Sequence, residues 1–329
     1  VSFFSFGEDN FNKKDNTLLS QKELAIFNTA LKEGNRAKWA RSLSNIKNIK
    51  NKEAKKIIRW RWLIANDGVS TNKDLIEFYE ENINWPLRKK LLRKIETKVS
   101  LKNFPKGMLW FQENPPVTGI GKVKLSEVLL NNNFKEEGKW ILQNAWLNHN
   151  FSYSEEKYIL SKYSKHISRN LNADRINRLI WDRTWGSANR QMKRVDKDIR
   201  SLSKAKILLA RRRGNVDNAI KQIPKTLINE ESLIYERVKW RRRAKLENKS
   251  LELLLSYRGP ISRPKKWWRE INYHTRKQIK YGNYDIAVSI LKNFNSNSSN
   301  YSSEASWLIG WLSLTFNKDP NVSYEYFKN

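Results

Sequence analysis

Apolar residues recur along almost the whole chain at spacings of three and four, the period of a helix with one buried face. Leu24, Phe27, Ala30 and Leu31 share one face, and Trp39, Leu43 and Ile46 begin another helix after Gly34-Asn35. Ile57, Trp60, Leu63 and Ile64 form a stripe that Asn66-Asp67-Gly68 should end. Ser70 or Thr71 then caps a helix carrying Leu75, Ile76, Phe78 and Tyr79. Pro86 suits the first position of a helix running to Glu96, and 118–121, Thr-Gly-Ile-Gly, reads as a loop. Segments 125–130 and 140–146 make a hairpin, and helices continue through 158–163, 176–181 and 202–210. Further on, Leu233, Arg237, Trp240 and Ala244 fall on one line. Two helices follow around Gly282-Asn283, and an apolar stretch spans 305–316.

The Gly-Asn turn recurs. Ala30-x-x-x-Gly34-Asn35 matches Ala210-x-x-x-Gly214-Asn215 and Gln278-x-x-x-Gly282-Asn283, with weaker relatives at Asn132-Asn133 and at 181–185. A turn of this kind ends one helix and starts the next. The spacings fit no fixed period, so the pattern predicts an all-α fold: an irregular α-solenoid, a superhelix of stacked helix hairpins, curved or ring-like. One hairpin cannot bury its own apolar face, and stacked neighbours can. The expected layout is an irregular lead-in over 1–20, the superhelical domain over 21–294 and a linker helix region over 295–329.

Composition refines this. The 329 residues carry 39% hydrophobic residues and 14 Trp, enough for a substantial core, with only 12 Gly and 8 Pro. No apolar run reaches the ~18 residues of a membrane span. With no Cys there is no disulfide framework, thiolate metal site or Cys nucleophile. The net charge of +31 suits an anionic partner: nucleic acid, anionic lipid or a carboxylate-bearing wall polymer. It suits equally a chain rich in Lys, Asn and Ile, in which Lys is the default surface residue. Residue 1 is Val, so the chain reads as a processed or excised piece.

Candidate chemistry is sparse. His149, His166 and His274 are isolated, and neither a phosphate loop nor metal-ligand spacing occurs, so no catalytic residue, metal site or cofactor is assigned. Arg and Trp interleave at Arg59-Trp60-Arg61-Trp62, at Trp240-Arg241-Arg242-Arg243 and at Lys265-Lys266-Trp267-Trp268-Arg269. Such runs read either as a binding surface or as core Trp with solvated Arg flanks. Arg237 shares an apolar face with Leu233 and Trp240, where a charge requires an ion-pair partner or a groove. Arg61, Arg237, Arg241, Trp267 and Trp268 are the groove candidates.

Several segments, in order, resemble the superhelical domain of the soluble lytic murein transglycosylases. They are Asn84-Trp85-Pro86-x-Arg88, Trp110-Phe111 with Asn114-Pro115-Pro116, and Tyr235-Glu236-Arg237-x-x-Trp240-Arg241-Arg242. Trp267-Trp268-Arg269-Glu270 and Ala305-x-Trp307-Leu308-x-Gly310-Trp311-Leu312 with Asp319-Pro320 complete the set. The resemblance implies a periplasmic or envelope location and peptidoglycan glycan strands as partner. It also implies a lysozyme-like catalytic domain after residue 329, cleaving the MurNAc-GlcNAc bond without water to leave a 1,6-anhydro ring. The family's Glu-Ser pair is followed by Gly-Leu-Met-Gln. Here Glu231-Ser232 occurs without that stretch, and Asn229-Glu230-Glu231 reads as a helix N-terminus. The implied role is therefore to frame the catalytic domain and engage the wall. A helical-repeat scaffold for RNA or protein partners is the alternative reading.

Overall fold

The structure, a computed structural model, describes residues 19–65, 69–98, 104–294 and 299–328. The lead-in up to residue 18, the Asn66-Asp67-Gly68 stop and part of the Ser/Asn-rich gap lie outside the described residues. All regular structure among the described residues is helical. The chain forms two compact units, Val1–Ala145 and Trp146–Asn329.

The first unit contains α1 (Gln21–Asn35), α2 (Trp39–Asn45), α3 (Lys52–Ile64), α4 (Asn72–Glu81), α5 (Arg88–Lys98), α6 (Phe104–Glu113) and α7 (Gly119–Asn131). Alternate helices stack in turn, α1 on α3, α3 on α5 and α5 on α7. The unit boundary falls within α8 (Lys135–Asn148), inside the array that the sequence pattern runs unbroken to 294.

The second unit contains α9 (Tyr153–Tyr163), α10 (Arg169–Trp181), α11 (Trp185–Gln191), α12 (Lys197–Arg211), α13 (Val216–Lys221) and α14 (Glu231–Arg243). It continues with α15 (Glu247–Ser256), α16 (Pro264–Lys280), α17 (Tyr284–Lys292), α18 (Ser299–Thr315) and α19 (Pro320–Lys328). Here α10, α12, α14, α16 and α18 stack successively, each paired with the helix that follows it. A helix in such a row is buried on two sides. Thus α12 gives Ile207 to one core and Leu202, Ala205 and Leu209 to the next. Likewise α14 gives Leu233 to that second core, and Ile234, Tyr235 and Val238 to a third.

Six of the hairpin turns share one closure. Ala37, Asn133, Arg183, Arg212, Lys245 and Gly282 are left-handed, with φ between 55° and 74°. At each, the next backbone N–H donates to a carbonyl five residues back, as in Thr184 to Leu179 (3.0 Å) and Leu246 to Arg241 (2.9 Å). This is the Schellman closure, which satisfies a carbonyl of the last helical turn. Of the three matched glycines only Gly282 occupies the left-handed position. Gly34 instead lies inside α1, where a Cβ would stand 2.9 Å from the Trp39 ring. Buried serines tie three hairpins together across 12 residues: Ser42 Oγ to Ala30 O (2.7 Å), Ser126 to Gly138 (2.6 Å) and Ser250 to Val238 (2.9 Å).

Two expected boundaries change. Pro86 lies in a turn before α5, and Leu87 beside it is left-handed at φ 58°. The segment is held back against α4: Trp85 packs edge-on to Phe78, and Arg88 donates to the Tyr79 carbonyl (2.6 Å) at the end of α4. The expected loop over 118–121 is the start of α7. Thr118 caps it by accepting from Gly121 N–H (3.0 Å), and the buried Glu96 carboxylate accepts from the N–H groups of Val117 and Thr118. Gly121 leaves room for that carboxylate, since a Cβ would overlap it.

Buried charges elsewhere are paired. Glu156, fully buried, receives Arg175, Arg190 and Arg194. Burial pushes the Arg175 guanidinium down to about 10, against the opposing pull of Glu156.

Candidate functional site

The site is built on α14. Glu230 caps this helix by accepting from Leu233 N–H (2.9 Å), so the Asn-Glu-Glu run is the helix start that the sequence predicts. Glu231 accepts from Ser262 N–H (2.8 Å) and Trp267 Nε1 (2.9 Å), while Ser232 bonds Glu230 and Asn177. This Glu-Ser pair thus holds neighbouring segments together.

Most charges of the Tyr235–Arg242 motif are also used internally. Glu236 pairs with Arg183, and Arg242 grips Glu270 with two bonds of 2.5 and 2.9 Å. Arg237 differs. It lies four residues after Leu233, on the face turned to α12 and α13, and it is half-buried. Among the described residues no carboxylate comes within ion-pair distance of it. Burial lowers its pKa, and Arg241, one turn further along, lowers it again. Arg241 donates Nη1 to the Lys249 carbonyl (2.8 Å), which fixes its guanidinium beside the same opening.

Arg237 and Arg241 share a pocket of about 390 Å³ whose apolar wall is Leu209, Val216, Ile220 and Trp240. Lys221 adds a third cation, and Asp217 is the one acid in the lining. Two guanidinium forks beside an apolar wall suit a planar anion attached to an apolar group. With three cations against one acid, the lining is suited to holding an anion. No cluster of three or more His, Cys, Asp or Glu among the described residues is arranged to hold a metal ion.

The groove candidates do not form one site. Arg237 and Arg241 come together. Arg61 lies in the first unit, where it donates to Asn35 Oδ1 (2.6 Å). Trp267 (0% exposed) and Trp268 (6%) are core residues, which corrects their reading as groove-facing rings. Trp267 is stacked on Tyr257 at 5.2 Å and edge-on to Tyr235 at 5.4 Å, and Trp268 packs against Phe294. Neither ring has a free face for a sugar. Sequence reasoning missed the opposite wall, Val216 and Ile220, and also Lys221. These come from α13, and only the Gly214-Asn215 turn before it hinted that a second helix would fold back there.

Compared with protein-family models, with curated proteins and with solved structures, the chain has no significant match.

Proposed function

We propose that this chain is the non-catalytic helical portion of a peptidoglycan lytic transglycosylase of the periplasm or cell envelope, engaging carboxylates of the wall polymer. The observation that carries the engagement is Arg237, a half-buried guanidinium with no carboxylate partner among the described residues, held beside Arg241 at the mouth of a concave pocket. A cation in that position lowers its energy when an anion enters, and a charge-assisted hydrogen bond contributes about 1.5–3 kcal/mol. The family assignment rests on the ordered motifs. In support of it, motif residues far apart in sequence meet as structural partners, as Arg242 does with Glu270. A place for a following domain is offered by α18, where Trp307 (56% exposed) and Leu314 (52%) remain open.

The RNA alternative is weaker, because several of the rings that would stack on bases are taken by packing. Trp267 and Trp268 are in the core, and Trp60 donates its Nε1 to the Pro86 carbonyl (3.1 Å). Co-sedimentation with purified sacculi at low and high salt tests the proposal, with single-stranded RNA as a competing ligand. Binding at low salt, weakened about tenfold in Arg237→Ala/Arg241→Ala, is expected. No binding to sacculi at low salt, or binding to RNA alone, overturns it.

A further inference from the structure

A second concavity lies in the first unit and is independent of the reading above. Asn51 starts α3 by accepting from Ala54 N–H (2.9 Å), and Ala54, Ile58 and Leu63 face the core. Beside that face runs a row at helical spacing, Lys52, Lys55, Lys56 and Arg59, which ends at Trp62. On an ordinary half-buried helix such a row next to the core would be mixed or apolar. Here it forms one wall of a pocket of about 440 Å³. Leu43, Ile46, Trp62 and Phe78 form the floor, and Lys47 adds a fifth cation from the turn after α2.

The charge around this floor is unbalanced. Arg59 pairs with Glu77 (2.9 Å) and Lys56 with Glu53 (3.0 Å). Lys47, Lys52 and Lys55 have no partner among the described residues, and Glu81 is the only acid in the lining. Lys52 and Lys55 also lie in the first turn of α3, where the positive end of the helix dipole disfavours further cations. Like charges at three- and four-residue spacing repel as well. Lysine stems can line an apolar floor while their ammonium groups stay at the rim. The wall is therefore cationic at the top and apolar beneath.

We propose that this pocket binds an anionic amphiphile, a phosphate or carboxylate head on a single apolar chain. The head accepts hydrogen bonds from Lys47, Lys52 and Lys55, and the chain lies on Leu43, Ile46, Trp62 and Phe78. An inorganic anion would satisfy only the rim, and an uncharged alkane only the floor. The arrangement rewards both parts in one molecule.

Calorimetric titration of the whole chain with octyl phosphate, below its micellar concentration, tests this. Octyl phosphate is expected to bind at least about tenfold tighter than either inorganic phosphate or octanol. Lys52→Glu/Lys55→Glu should weaken it about tenfold, while Lys157→Glu, an exposed residue of α9 outside both pockets, leaves it unchanged. If the double reversal loses helical circular dichroism, Lys52→Gln/Lys55→Gln decides instead, with a loss of about threefold. Equal binding of octyl and inorganic phosphate, or affinity unmoved by the folded double variant, overturns the proposal.

Discussion

At the scale of single residues, the balance between burial and charge decides which side chains are structural. His274 is 1% exposed on α16, with its Nε2 3.0 Å from Ser250 Oγ. Burial lowers its pKa from 6.5 to about 4, against the pull of Glu270 and with a small push from Arg242. The folded state thus keeps the ring neutral while the unfolded chain takes up a proton below 6.5. Stability must fall as pH drops from 6.5 to about 4, by about 3 kcal/mol from this group. In His274→Gln that slope should be shallower by one proton, measured by urea unfolding across the same pH range; an unchanged slope would refute the assignment. Arg237 was legible in the sequence because a charge on an apolar helical line stands out, and Arg241 because it follows Trp240 in an interleaved run. Trp267 and Trp268 were not. Adjacent helix positions point about 100° apart, so one ring of such a pair normally faces solvent. Both are buried because α16 packs against α14 on one side and α17 and α18 on the other, a matter of tertiary packing.

At the scale of elements, existence was easier to read than boundary. Helices begin where Ser20, Thr71, Ser152 and Glu230 cap them, and of these the starts at Thr71 and Glu230 were read from the sequence. The turns were obscure because, among the described residues, most left-handed positions are held by Ala, Asn, Arg or Lys, with Gly only at 282. A search for glycine therefore finds one turn in register and misplaces the others. A non-Gly residue there stores about 1–2 kcal/mol of strain. Replacing Lys245, an exposed residue at φ 61°, by Gly should raise stability by about 0.5–1 kcal/mol after the greater freedom of the unfolded chain is counted. The shift in urea midpoint at constant slope measures it, and a destabilised variant would show that the lysine stem contributes packing there.

At the scale of the whole molecule, the 64 Lys and Arg residues outnumber the 33 Asp and Glu almost two to one. The buried acids are consumed in pairs such as Glu156 with its three arginines, which leaves the excess on the surface. Self-repulsion of that size opposes compactness. Raising salt from about 10 to about 150 mM shortens the screening length from about 30 to about 8 Å. The thermal midpoint should therefore rise, by about 2–4 °C for each kcal/mol of repulsion relieved. A midpoint that is flat or falling with NaCl would show that the surface charges are already neutralised. The all-helical class was legible throughout, since it depends only on local periodicity. The division into two units was not, because it depends on which neighbouring helices share a core.

The hairpin turns have a kinetic consequence. Each Schellman bond closes a loop of a few residues, and the serine bonds at Ser42, Ser126 and Ser250 span only 12. Closing such short loops costs little chain entropy, and folds dominated by near-neighbour contacts cross low barriers. A nascent chain can therefore assemble one hairpin while the next is still unsynthesised, each finished pair serving as the template on which its successor condenses.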